Sequence, residues 1–435
     1  MQHKQRGLVV KMAFTLVALL TGSMLAAPPV LPAPAVKTTT DVFKQFSEHV
    51  VKIEVIESGS AARASIGTGF FASASGHIIT NYHVISKLIH SPERYRVEIV
   101  GPTGQTSQAR ILAVDVVYDL AVLRATPHPR GFLVLEPKPM EQGTRLFSLG
   151  HPRDLGLTIV EGTYNGLLRH TLYPKVHFTG ALNPGMSGGP TLTHAGKVVG
   201  VNVATEGEQI SFLVPAERAL ALLQKTARAE SPPAGGFLSE VGRQIYANQA
   251  RYLSGMFDRP TPMVVLGPYV LPTKPADFFR CWADAVRRKE LPYAAVTHDC
   301  STDDYIFVSS EQSSGIVRFY HQLLTTEELY PSQFFNLYAA QVQAGNSAAF
   351  GSEEEVTSFR CRTRNVQTRR GNKIKAILCA RQYVKLAGLY DAVFRAATLG
   401  ASNAGLVSTL ALSGVSFENV EALSRRYMES IRWGR

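Results

Sequence analysis

The sequence predicts a mostly β chain with a separate α+β region behind it, and three observations carry that reading. Short apolar runs with period-two alternation recur from Val51 to Val203, and Gly, Pro and Asn turns separate them. A Pro/Gly-rich break at residues 230–236 follows, and beyond it helix-like and strand-like patterns mix. With 435 residues the chain has room for two or three domains. Its 45% hydrophobic content against 18% charged residues excludes a disordered polyelectrolyte. The net charge of +11 favours anionic partners or surfaces but names none.

Residues 1–35 read as an export signal and a Pro-rich linker. Lys4, Arg6 and Lys11 precede an apolar run from Met12 to Leu20, well short of the ~20 residues of a spanning helix. Small residues at Ala26, Ala27, Ala33 and Ala35 offer cleavage sites, and Pro28, Pro29, Pro32 and Pro34 extend the chain after them. The expected location is periplasmic or secreted, with no transmembrane anchor.

Residues 36–229 carry the strand series. Val51–Val55 alternates, Gly67–Phe71 turns at Ser75-Gly76 into Ile78–Thr80, and further runs lie at 94–100, 109–114, 120–124, 145–149, 157–162 and 175–179. A hairpin of 190–193 with 197–203 closes the series, and 215–228 reads as a helix. Such spacing favours an antiparallel barrel or sandwich.

Residues 237–435 read as an α+β domain of unassigned role, helical near 237–256, 333–343 and 417–433, and strand-like over 263–271. Its four cysteines are an even number in an exported chain, which points to disulfides, and none of the spacings is the C-x-x-C of a zinc site. No metal and no cofactor is expected. Phe279-Arg280-Cys281 and Phe359-Arg360-Cys361 are each followed by a second cysteine at a similar distance, as a duplicated hairpin would be. Three pairings are open, and the local one, Cys281 with Cys300 and Cys361 with Cys379, is expected because each pair could bridge a hairpin.

Between residues 360 and 385, Arg360, Arg362, Arg364, Arg369, Arg370, Lys373, Lys375, Arg381 and Lys385 have no acidic neighbour before Asp391. A hairpin around Gly371-Asn372 would gather several of them on one face. The plain reading is a solvated hairpin whose charge aids solubility; the alternative is docking to an anionic envelope surface or an acidic protein. No aromatic ladder accompanies the charge, so no nucleic acid is expected.

The chemistry concentrates in Asn183-Pro184-Gly185-Met186-Ser187-Gly188-Gly189-Pro190. A serine ringed by glycines can sit on a tight turn with its hydroxyl and nearby N–H groups exposed. The run also fits G-x-S-x-G, whose hydrolase fold places Asp and His after the Ser. Here a histidine, in Thr80-Asn81-Tyr82-His83-Val84, and an acid, in Tyr118-Asp119-Leu120, come before it. The order His, Asp, Ser is that of the chymotrypsin-like double β-barrel.

Gly67-Thr68-Gly69-Phe70-Phe71, Gly76 to Ile85, Asp115 to Leu123 and Asn183 to Pro190 together resemble the trypsin-like serine peptidases of the bacterial HtrA (Deg) type, over about residues 45–225. The resemblance implies His83 as general base, Asp119 as its orienting acid, Ser187 as nucleophile, and the N–H groups of Gly185 and Ser187 as oxyanion hole. It places Ala181 at the floor of the substrate pocket, which implies small or medium aliphatic side chains before the cut. It implies protein or peptide substrates. Met186 stands where such peptidases more often have Asn. The chain beyond Gly236 shows no pattern like the PDZ domains they usually carry.

His77, His151, His170 and His177 lack a matching context, and Asp115 is the rival to Asp119. Asp119 is preferred because it directly precedes the apolar strand 120–123. The alternative reading of the whole chain is an inactive barrel scaffold whose C-terminal domain is a binding module; the intact motifs favour the peptidase.

Overall fold

The computed structural model describes residues 38–126, 131–205, 209–226, 233–254, 256, 261–302, 304–344, 351–400 and 402–433. The expected export signal and residues 230–232 of the linker lie outside the described residues.

Helix α1 (Thr39–Phe46) starts on a capping box in which the Thr38 hydroxyl accepts the Asp41 N–H and the Asp41 carboxylate accepts the Thr38 N–H. The first barrel follows: β1 (Val50–Glu57), β2 (Arg63–Phe71), β3 (His77–Thr80), helix α2 (Tyr82–His90), β4 (Tyr95–Val100), β5 (Thr106–Asp115) and β6 (Leu120–Ala125). Its six strands close in the antiparallel order β1-β2-β3-β6-β5-β4. Ile53, Phe70, Ile78 and Leu123 are buried in its core. The sequence reading assigns no element to α2. It buries Tyr82, Val84, Ile85 and Ile89, and ends before Ser91-Pro92, where the proline ring disfavours helical geometry at the residue before it.

The second barrel uses β7 (Val134–Leu135), β8 (Arg145–Gly150), β9 (Thr158–Leu167), β10 (Val176–Phe178), β11 (Pro190–Leu192), β12 (Lys197–Thr205) and β13 (Ser211–Pro215). Six of them form a ring, β11-β8-β9-β10-β13-β12, closed because β11 pairs with both β8 and β12, while β7 lies parallel beside β12. Two closed antiparallel barrels in succession are the double barrel implied by the motif order. Helix α3 (Ala216–Thr226) then packs on β5, β6 and β12.

Beyond it come α4 (Gly236–Leu253), the hairpin β14 (Met263–Leu266) and β15 (Tyr269–Pro272), and β16 (Phe279–Val286), β17 (Ala294–Thr302), β18 (Ile306–Ser309), β19 (Gln312–Ser314) and β20 (Val317–Thr325). The chain continues through α5 (Pro331–Ala344), β21 (Arg360–Gln367), β22 (Lys373–Gln382), β23 (Tyr390–Thr398), β24 (Ala404–Val415), α6 (Phe417–Ser430) and β25 (Arg432–Trp433). The expected single strand-like stretch 263–271 is two strands, because Gly267 at φ +54° and Pro268 turn the chain back.

Seven strands form one antiparallel sheet, β16-β17-β20-β24-β23-β22-β21. Neighbouring Leu323 and Leu324 point to its opposite faces. Leu323 joins the cluster containing Tyr427 of α6, and Leu324 the cluster containing Phe334 of α5. Disulfides join directly opposed residues in the two edge hairpins, Cys281–Cys300 and Cys361–Cys379.

One expectation needs correction. The basic face is smaller than its sequence suggests. Arg360, Arg362 and Arg364 share one exposed face of β21, but Arg381 pairs with Asp391 at 2.7 Å and lies over the Phe359 ring, and Lys385 pairs with Glu355 at 2.9 Å. Lys373 and Lys375 stand opposite Gln367 and Asn365, on the other face from the three arginines. The C-terminal sheet region packs against the first barrel. Val241, Ile245, Ile306, Val308, Tyr383 and Leu386 share the first barrel's apolar core.

Candidate active site

His83 is the second residue of α2, directly after β3, so the strand-to-helix turn aims it out of the first barrel. Asp119 sits one residue before β6 with φ at +54°, a left-handed conformation that aspartate tolerates better than most side chains. Asp115 shapes the same turn by accepting the N–H groups of Val117 and Tyr118 at 3.1 and 3.0 Å. Burial pushes the Asp115 carboxyl up. Its bonds make it a turn former, and the carboxylate that meets His83 is that of Asp119.

Asp119 grips His83 twice. Oδ1 accepts the His83 main-chain N–H at 2.8 Å, and Oδ2 lies 2.6 Å from Nδ1. The Asn81 side chain donates to the Asp119 carbonyl at 2.8 Å and holds the turn in place. A carboxylate partner assigns the proton to Nδ1 and leaves the Nε2 lone pair free. Burial pulls the His83 pKa down, but the charge and hydrogen bond of Asp119 outweigh it and the net shift is upward.

Ser187 lies on the turn between β10 and β11, and two glycines are required there. A Cβ on Gly188 (φ +84°) would sit 2.2 Å from the Thr68 carbonyl oxygen, and one on Gly185 (φ +96°) 2.3 Å from that of His151. The turn is fixed from three directions. Thr68 N–H donates to the Ser187 carbonyl at 2.8 Å and the Thr68 hydroxyl to the Gly185 carbonyl at 2.7 Å. The buried Asn202 amide donates to the carbonyls of Met186 and Leu149. Met186 itself is fully buried among Leu146, Phe178, Leu182 and Leu213.

Arg153 N–H donates to the Pro184 carbonyl at 2.8 Å. Across a trans peptide this turns the Gly185 N–H the opposite way. Among the described residues, the main-chain N–H groups of Gly185 and Ser187 donate to no protein acceptor. The loop carrying Arg153 is tied to the first barrel, since Asp154 pairs with Lys52 at 2.8 Å and with Arg63, and these bonds hold its carboxyl down at about 2. In this arrangement the Ser187 hydroxyl is not hydrogen-bonded to the imidazole; such contacts often tighten only with substrate in place.

Of the other histidines, His77 and His151 have structural partners. His77 lies 2.7 Å from the Ser73 hydroxyl. His151 donates its N–H to Thr68, and burial with nearby Lys52 takes its ring down to about 4. His170 sits at φ +61° in a loop, and His177 lies in β10. Ala181 is exposed, while its neighbour Leu182 is buried beside Met186. The sequence reading missed Thr68 and Asn202. Thr68 touches the turn through its main-chain N–H and hydroxyl and Asn202 through its side-chain amide, roles that no motif spacing reveals.

Residues 67–201 match the model of the trypsin-like peptidase domain. The chain is similar to serine protease HTRA2, mitochondrial, of Bos taurus, at 30% identity over 56% of this chain and 53% of the relative. It is also similar to protease Do-like 5, chloroplastic, of Arabidopsis thaliana, at 31% identity over 38% and 59%. A probable periplasmic serine endoprotease DegP-like of Chlamydia trachomatis is 31% identical over 32% of this chain and 28% of its own length. The chain thus spans between a quarter and three fifths of the length of these relatives. Among solved structures, a serine endoprotease from Yersinia pestis aligns over 45% of this chain and 68% of its own, with 24% identity and a TM-score of 0.39.

Proposed function

We propose, from the premise that the chain carries an HtrA-type trypsin-like peptidase domain, that it is an exported serine endopeptidase hydrolysing proteins through Ser187, His83 and Asp119. The observation that carries this reading is the His83–Asp119 pair together with a Ser187 turn whose Gly185 and Ser187 N–H groups have no acceptor among the described residues.

The reaction follows from the atoms. His83 Nε2 takes the Ser187 hydroxyl proton as Oγ bonds to the scissile carbonyl carbon, and the imidazolium is stabilised by Asp119. The Gly185 and Ser187 N–H groups receive the oxyanion, each worth ~2.7–4 kcal/mol in related chemistry. His83 then gives its proton to the departing amine as the C–N bond breaks, leaving an acyl-enzyme. Water repeats the sequence, losing a proton to His83 and releasing the acid as Ser187 recovers its own.

Met186 has a thioether where an ion pair with a new N-terminal amine would need a carboxylate, so activation by N-terminal cleavage is not part of this reading. The exposed Ala181 and apolar Leu182 support small or medium aliphatic residues before the cut, which peptide-library mass spectrometry checks. Export rests on the sequence of residues 1–35 and on the periplasmic relatives. No helix among the described residues is long and apolar enough to cross a membrane. Arg360, Arg362 and Arg364, with the exposed Arg369 and Arg370 beside the β21–β22 turn, are the remaining candidates for contact with an anionic envelope surface, a binding that should weaken with salt. The inactive-scaffold alternative finds no support in the relatives. Casein hydrolysis tests the assignment: Ser187→Ala and His83→Ala should each remove nearly all of it, and wild-type rates in Ser187→Ala would overturn it.

A further inference from the structure

The helix that carries His83 is covered by a segment more than two hundred residues later in the chain. The Tyr82 hydroxyl donates to the Val308 carbonyl at 2.8 Å, and His90 Nε2 lies 3.0 Å from the same oxygen. One residue earlier, the Phe307 ring meets both Tyr82 and His83 edge to face, with centroids 6.4 and 5.9 Å apart and planes at 66° and 70°. The start of the segment is held by the second barrel. Buried Asp304 accepts the Leu172 N–H at 2.9 Å and pairs with Lys175 at 3.0 Å, directly before β10. Residues 304–308 therefore bridge the two barrels beside the imidazole.

The Asp119 contacts fix the Nδ1 edge of His83 and leave the ring free to rock about that bond. A proton shuttle needs Nε2 held toward the serine, and small misplacements are costly. An aromatic neighbour restricts the ring plane and keeps water from competing for the Nδ1–Asp119 bond. Phe307 meets both needs, and its side chain has no hydrogen-bonding group of its own to spend elsewhere.

We propose that Phe307 is a positioning residue for His83, and that residues 304–308 make the C-terminal region a working part of the peptidase site. This rests on the triad reading above. The test uses the full chain as wild type, Phe307→Ala, Phe307→Tyr, Asp304→Ala and Ser187→Ala, each checked by thermal melting. Steady-state hydrolysis of a fluorogenic peptide is measured beside the downfield NMR signal of the His83 Nδ1 proton.

Phe307→Ala should lower kcat about three- to tenfold with KM within about twofold of wild type, the Nδ1 signal should broaden by exchange, and Phe307→Tyr should restore both. Asp304→Ala should move both readouts in the same direction. Unchanged kcat and an unchanged Nδ1 signal in Phe307→Ala, with Ser187→Ala inactive, would overturn the proposal and leave the triad reading standing. Hydrolysis surviving in Ser187→Ala would instead sink the triad reading, and the Nδ1 signal would still decide the role of Phe307. If Phe307→Ala fails to fold, Phe307→Leu, which keeps bulk without the ring, is judged by the same two readouts.

Discussion

Asp119 holds His83 at two points, taking the main-chain N–H on one carboxylate oxygen at 2.8 Å and the ring Nδ1 on the other at 2.6 Å. The first bond places the start of α2 and the second sets the tautomer, so one side chain fixes both position and protonation. Asp119→Asn should keep the fold and lower kcat by about four orders of magnitude, because an amide can donate to Nδ1 and select the wrong tautomer. A peptide-hydrolysis assay with a thermal melt checks both halves.

The same pair predicts opposite pH trends. Asp119 raises the His83 pKa, so the neutral base forms only above the ordinary histidine range of about 6.5. Activity should rise with pH through that raised value. The stability contributed by the charged pair is fully present below the unfolded-state pKa and is lost as pH rises through the folded one. NMR titration should find the His83 midpoint above 6.5 in the wild type and lower in Asp119→Asn, where burial acts without the opposing charge.

Asp154 acts at a distance from the reacting atoms. Its bonds to Lys52 and Arg63 anchor the loop whose Arg153 N–H holds the Pro184 carbonyl. Asp154→Ala should reduce kcat by about tenfold, less than the roughly hundred- to thousandfold cost of losing an oxyanion donor outright, with little change in KM. The carboxyl stays charged down to about pH 2, so the brace persists across the working range and acid loss of activity belongs to His83.

The Ser187 turn and the residues around His83 and Asp119 were legible because their constraints are local. Gly185 and Gly188 flank Ser187 in sequence for the same reason that a Cβ at either would strike backbone. The double barrel was legible from motif order more than from strand spacing, which left a sandwich open. Long-range partners were not legible. Arg381 looked like part of a free basic run until the fold brought Asp391 across the β22–β23 ladder, and Phe307 carries no local sign that it lies against His83. Helix α2 had readable ends, with Asn81 before it and Ser91-Pro92 after it, but its apolar Val84-Ile85 reads equally as strand.

The two disulfides close loops of 19 and 18 residues in sequence separation, worth ~3 kcal/mol each in the chain-entropy model. Cys281→Ser/Cys300→Ser should lower the melting temperature. Because the C-terminal region shares the first barrel's core, the loss should appear in the peptidase transition too. Calorimetry that finds the barrels melting unchanged would contradict this coupling.

His321 should make the sheet acid-sensitive. It is buried, with Nε2 2.9 Å from the Pro272 carbonyl and Nδ1 2.7 Å from the Ser408 hydroxyl, and burial takes its pKa down to about 4. The unfolded chain binds a proton there from about 6.5 downward, so stability falls between pH 6.5 and 4 by up to about 3 kcal/mol and levels off below. Urea denaturation should show that loss in the wild type and a shallower one in His321→Gln, measured from its own starting stability.

Covalent labelling reads the reactivity of Ser187 itself. A serine-directed fluorophosphonate incubated with the folded chain should add one phosphonyl group, and peptide mapping should place it on Ser187. The His83→Ala chain should label far more slowly, and Ser187→Ala not at all. A folded wild-type chain that takes up no label, or takes it up equally in Ser187→Ala, would contradict the account.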